Sequence, residues 1–178
     1  MIRTLCLVAV LALSACGGDD PVDAPSPFAV FRDTGAPIGS TTRGSAQDMA
    51  GAWTVAAAYP GRDLAGADVG PGTRVTLAFD AGGFGTLTVG DTVLPLEVVR
   101  AGRWRVGGAR GAELWLIWTD ADFRTAVIGA PGGTFGWIMD RPGAASPDRT
   151  RAAREILEFS GYDLTRLSGG GSTPGSGS

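Results

Sequence analysis

The sequence predicts an all-β fold, an eight-stranded antiparallel up-and-down β-barrel with one C-terminal α-helix packed on its wall. Three observations predict it. Short apolar runs crowd residues 50–141 and are separated by Gly, Pro and Asp. Most connections between them are tight, which implies antiparallel neighbours. After the last run comes a single amphipathic helical pattern. Eight such strands can close into a barrel whose interior holds one small ligand.

The first run is 52–59, followed by a long loop over 60–72 rich in Gly, Pro and Asp. The second, 73–79, alternates Val75, Leu77 and Phe79 against Arg74, Thr76 and Ala78, a half-buried strand. A turn at 80–83 leads to the third run, 84–89. Gly90-Asp91 then forms a two-residue hairpin. The fourth, 92–99, puts Leu94, Leu96 and Val98 on one face, and Pro95 marks it as imperfect or edge-like. The fifth is short, 103–106. The sixth, 113–119, is apolar on both faces. Asp120-Ala121-Asp122 turns into the seventh, 123–129, and Pro131-Gly132-Gly133 into the eighth, 134–140. The helix starts at Ser146, a good N-cap, with Pro147 at the first position and Asp148 at the positive end of the dipole. Ala152, Ala153, Ile156 and Leu157 form its apolar stripe. Arg151–Glu155 and Arg154–Glu158 are spaced for i, i+4 pairs, and Gly161 ends it.

With 178 residues, 44% hydrophobic and 19% charged, the chain has room for one ordinary domain. It contains no His and no Lys, and its two cysteines are Cys6 and Cys16. That excludes Ser–His–Asp and Cys–His catalysis, a Schiff-base lysine, a Walker-type phosphate loop and a Cys/His zinc site. We expect no enzyme activity and no cofactor. The net charge is −3 without a basic block, so no nucleic-acid partner is expected.

Residues 5–13 are an apolar run of signal-peptide length, too short for a resident membrane helix. It ends in Leu13-Ser14-Ala15-Cys16, which resembles the lipobox of bacterial lipoproteins. The resemblance implies lipidation of the Cys16 thiol, cleavage before it and acylation of the new N-terminus, several chains giving stable anchoring. Gly17, in place of an Asp, implies the outer membrane. Loss of Arg3 with the signal leaves 14 basic against 18 acidic residues, a charge of −4. The expected organisation is a signal peptide over 1–15, a lipidated tether and extension over 16–45, a barrel plus helix over 46–167 and a flexible tail over 168–178. Within the extension, Phe28, Val30, Phe31 and Ile38 are expected to dock on the barrel.

Three further places, in order, carry a second resemblance. These are Gly51-Ala52-Trp53 in the first strand, Thr119-Asp120 between the sixth and seventh, and Arg141 closing the eighth. They resemble the signature positions of the lipocalin family. Residues 118–124, 128–131 and 135–141 are similar to the same region of bacterial outer-membrane lipocalins. The resemblance spans about residues 50–167. It implies a barrel whose Trp53 plugs the closed end with Arg141 lying across its face, a cation–π contact. It also implies a ligand class: fatty acids, lysophospholipids or similar amphiphiles. Thr54-Val55 and the small residues Ala56, Ala57 and Ala58 depart from the family pattern, as do the fourth and fifth strands.

Counting by two from Trp53 gives Val55, Ala57 and Tyr59 as inward positions. The same period marks Val75, Leu77 and Phe79, then Leu94, Leu96 and Val98, and then Phe135, Trp137 and Met139. Of these, Val55, Ala57, Tyr59, Leu77, Phe79, Leu96, Phe135 and Trp137 are the cavity candidates. The same side chains could instead fill the barrel. Gly51, Trp53, Thr119, Asp120 and Arg141 are structural candidates for the closed end. Asp120 and Asp122 could form a paired-carboxylate site, though Asp in a tight turn has ordinary backbone reasons. Glu113 calls for an Arg partner, Arg103 or Arg105, at the rim or near a ligand head group. The leading function is binding of a small hydrophobic ligand at a membrane surface. The alternative is an interaction lipoprotein with a filled barrel and partner-binding loops.

Overall fold

Alternation of large apolar and polar side chains builds the sheet, and a computed structural model describes it over residues 30–60, 64 and 67–170. The strands are β1 (Gly51–Ala58), β2 (Arg74–Phe79), β3 (Phe84–Val89), β4 (Thr92–Arg100), β5 (Arg103–Val106), β6 (Ala112–Thr119), β7 (Thr125–Gly129) and β8 (Gly136–Asp140). Each pairs antiparallel with the next, and β1 pairs with both β8 and β2, so the barrel closes. A short helix α1 (Ala46–Met49) precedes β1, and α2 (Pro147–Phe159) follows β8. A 3-10 turn (Leu164–Arg166) then leads to a two-residue strand, β9 (Ser168–Gly169).

Val75 and Leu77 of β2, Leu87 and Val89 of β3, Leu94 and Leu96 of β4, and Trp104 and Val106 of β5 point inward. Their alternates on β2 are exposed. The last three strands are apolar on both faces because α2 covers them. Leu114, Leu116, Ile128, Trp137 and Met139 face the interior, while Trp115, Ile117, Val127 and Ile138 pack outside with Ala153 and Leu157 of the helix. Ser146 caps α2, accepting from the Arg149 amide at 3.5 Å. Gly161, at φ +85°, lets the chain fold back so that the Tyr162 amide donates to the Leu157 carbonyl. Arg151 bonds Asp148, one turn before it, at 2.9 Å, and not the expected partner Glu155, one turn after it.

Pro95 does not mark an edge. Its strand lies between β3 and β5, with Pro95 opposite Thr86. Its N–H side faces β5, and β5 ends at Val106 opposite Leu96. The missing donor therefore falls just past the end of the neighbouring strand, and the single bond forgone is the one to the Gly107 carbonyl. The Pro95 carbonyl still accepts from the Gly107 amide at 3.0 Å.

At one end β1 leaves β2. Its register with β2 covers residues 51–54 only, and β9 pairs with Ala57 and Ala58 beyond it. The loop after β1 departs there, which makes this the open end. The N-terminal segment is stitched on nearby, the Phe31 amide donating to the Gly133 carbonyl at 2.8 Å. Phe31 and Ile38 pack on the outer wall as expected of the extension, and Val30 is 40% exposed. Cys16 and Phe28 lie outside the described residues.

Candidate functional site

The closed end is built around Trp53. Its indole N–H donates to the Met49 carbonyl at 2.9 Å, and the Arg141 guanidinium lies 3.9 Å from its ring centroid. Arg141 also donates to the carbonyls of Asp48 at 2.8 Å, Ala50 at 2.7 Å and Phe123 at 3.2 Å. It thus ties α1, β1 and the β6–β7 turn together. Burial lowers its pKa. Gly51 sits at φ +102°, and a Cβ there would come within 3.0 Å of the guanidinium. That is why a glycine precedes this tryptophan by two residues.

The β6–β7 turn settles the reading of the Asp pair. Asp120 accepts from the amides of Arg124 at 2.6 Å and Thr125 at 2.9 Å, and from the Arg124 side chain at 2.9 Å. Burial alone would raise its pKa, but these donors outweigh it and hold the carboxyl below 3.8. Asp122 bonds Arg124 at 2.8 Å from the solvent side. The two carboxylates are therefore bridged by one arginine in a turn. Thr119 donates to the Thr125 carbonyl at 3.0 Å and completes it. On the outer wall, burial pushes Asp140 above 3.8, a shift that the hydrogen bond from Thr125 and the nearby Arg149 partly offset.

Of the cavity candidates, Val55, Leu77, Leu96, Phe135 and Trp137 face the interior, and Phe79 packs against it beside Trp104. Val75, Leu94, Val98 and Met139 join them. Ala57 and Tyr59 do not. The pairing of β1 with β8 shifts register between Val55 and Ala57, a bulge that reverses the alternation beyond it. Ala58 turns inward, while Ala57 and Tyr59 pack on the outer wall with Phe31, Leu157 and Tyr162. Burial raises the Tyr59 hydroxyl pKa, the largest of several causes. Glu113 is exposed and accepts from the Trp115 indole at 2.9 Å. Arg105 pairs with Glu97 instead, and Arg103 stacks on Trp115 at 3.5 Å.

The family resemblance places the long loop over 60–72 above the barrel mouth as a lid, but sequence reasoning missed the residues that plug it. Leu64, Ala67 and Val69, from the long loop, are buried in the interior cluster at 2%, 4% and 6% exposure. Their spacing follows no strand or helix period. The loop's length and its place in the family resemblance were the only signals. In the same interior cluster Phe135 and Trp137 stack, with ring centroids 5.4 Å apart. Trp53, Trp104 and Trp137 are each 1% exposed, so large rings fill much of the barrel. A groove of about 930 Å³ lies outside it, between α2 and β1. Trp137 carries the one polar atom of this cup without a partner among the described residues, its buried indole N–H.

Residues 96–169 match the family model of the lipocalin-like domain. No curated protein matches the sequence. Among solved structures the chain is similar to a major allergen from cockroaches, Per a 4. The identity is 12%, the TM-score 0.55, and the match covers 76% of this chain and 93% of that one. Apocrustacyanin C1 also aligns, at 12% identity and a TM-score of 0.49, over 75% of this chain and 88% of that one.

Proposed function

From a closed barrel whose residues 96–169 match the lipocalin-like domain, we propose that the protein binds a small hydrophobic molecule at the open end and does not catalyse a reaction. The observation that carries this is the plug. The apolar interior that holds Phe135 and Trp137 also buries three small or medium apolar side chains of a loop, Leu64, Ala67 and Val69. Burying a leucine contributes roughly 2 kcal/mol, which a ligand with more apolar surface can exceed. The ligand would take the place of Leu64, Ala67 and Val69 and give a negative heat-capacity change. We further propose that the mature chain is held in a bacterial outer membrane by lipid on Cys16, a reading supported by the lipobox.

Titration of delipidated protein with single-chain amphiphiles, followed by tryptophan fluorescence and calorimetry, tests the binding. A Kd below about 100 μM, roughly −5.5 kcal/mol, is expected for at least one chain length. A second reading is supported by the three buried tryptophans: the barrel is filled, and the loops bind a partner protein. It becomes the better one if no amphiphile binds.

A further inference from the structure

We propose that the cup selects uncharged amphiphiles carrying a hydrogen-bond acceptor, such as esters, ketones or alcohols, and that the Trp137 indole N–H is the donor that reads them. This rests on the ligand-binding reading above and makes it more specific. In folded proteins nearly every buried N–H finds a partner. Two other indoles follow that rule: Trp53 donates to Met49 and Trp115 to Glu113, each at 2.9 Å. Trp137 does not, although it is 1% exposed and stacks on Phe135 in the interior cluster that also holds the plug residues. A second buried orphan, the Tyr59 hydroxyl, lies on the outer wall, away from the cup.

The rest of the cup sets the charge of the ligand. Among the described residues, no buried charged side chain faces the interior. Arg32 is on the outside, bonded to the carbonyls of Ser160, Pro131 and Ala36. Asp120 belongs to the β6–β7 turn, and Asp140 alternates with inward Met139 and bonds Thr125 on the outer wall. Among the described residues, an ionised carboxylate entering the cup would lose its water and find neither a cation nor a second donor. A neutral acceptor loses far less on entry and gains the one bond on offer.

The test uses the full-length, delipidated chain and displacement of N-phenylnaphthylamine by lauric acid, methyl laurate, dodecanol and dodecane at neutral pH. Methyl laurate and dodecanol are expected to bind at least about tenfold more tightly than laurate. The Trp137→Phe variant is expected to shrink the preference for ester over alkane about tenfold, or about 1.4 kcal/mol. Laurate binding as tightly as its ester in the wild-type protein overturns the proposal, whatever the variant does. So does an ester-to-alkane ratio that Trp137→Phe leaves unchanged. If dodecane binds and acceptors bring no gain, the cup is a ligand site without this selectivity. If none of the four displaces the dye, the binding function itself fails, and this proposal with it.

Discussion

Trp53 and Arg141 act on each other through stacking, through α1 and through the carbonyls that α1 leaves unpaired at its end. Trp53→Ala removes a fully buried ring and is expected to cost about 3–5 kcal/mol. Arg141→Ala loses a cation–π contact and several charged hydrogen bonds, for about 2–3 kcal/mol. Denaturant midpoints measure both, and a wild-type midpoint for Trp53→Ala would show that this ring does not close the barrel. Two aspartates, Asp120 of the β6–β7 turn and Asp140 beside Arg141, respond to pH with opposite sign. Asp120 has a folded pKa below 3.8, so its contribution is present above that value and lost as pH falls through the folded pKa. Asp120→Asn should therefore destabilise by about 1–2 kcal/mol at neutral pH and converge on wild type in strong acid. Asp140 has a folded pKa above 3.8, so its ionisation opposes folding at neutral pH, and that cost disappears as pH drops below 3.8. Asp140→Asn should match or exceed wild-type stability at neutral pH and lose the advantage in acid. Stability curves between neutrality and acid, run for both variants, check the pair. Variants that track wild type in parallel would mean that neither carboxylate is linked to folding.

At the scale of elements, periodicity located all eight strands and the long helix because most of their faces differ in polarity. Residues 113–119 read as apolar on both faces, and the reason is α2, which covers that wall. Periodicity could not reveal where alternation breaks. Ala56, Ala57 and Ala58 are alike, so nothing in them marks the bulge that sends Ala57 and Tyr59 outward. The short elements escaped for related reasons. Helix α1 is four residues long and is signalled by Ser45 and Asp48 alone, and β9 is two residues of a Gly/Ser-rich stretch. Trp53 and Arg141 were legible through the family resemblance, as was the loop over the mouth, while the plugging residues were not, since Leu64, Ala67 and Val69 are scattered through it. The plug also sets an expectation opposite to that for core residues. If closed and open loop conformations exchange, the apparent Kd equals the intrinsic one divided by the open fraction. Leu64→Ala weakens the closed form and should tighten amphiphile binding several-fold while lowering stability. Paired measurements of Kd and denaturation midpoint test this. Weaker binding in Leu64→Ala would make Leu64 part of the ligand site rather than its competitor.

For the whole molecule, the open end gathers more than the cup. The loop after β1, strand β9 and the N-terminal segment all meet there. Phe31 is held between backbone bonds to Gly133 and Asp163, and the Arg166 guanidinium lies 4.3 Å from its ring centroid. Arg166 also donates to the Val30 carbonyl at 2.8 Å. A chain anchored at Cys16 would thus join the barrel on the side where the ligand enters. From Cys16 to Val30 the chain can reach about 50 Å at full extension, so an anchored barrel stays within that distance of the membrane surface. Acyl chains partitioning between bilayer and cup would then travel a short path, which suits a carrier of membrane-derived amphiphiles. Stable anchoring needs more than one acyl chain, because a single chain binds only marginally. The wild-type protein, expressed in a bacterial host, is therefore expected to begin at Cys16 with the mass of several chains and to partition into detergent. Cys16→Ser should keep the signal peptide, carry no acyl mass and leave the barrel's denaturation midpoint where it is. Intact mass spectrometry and detergent phase separation read both. A wild-type chain that starts at another residue and carries no lipid would detach the barrel from the membrane, while its affinity for amphiphiles could still be measured in solution.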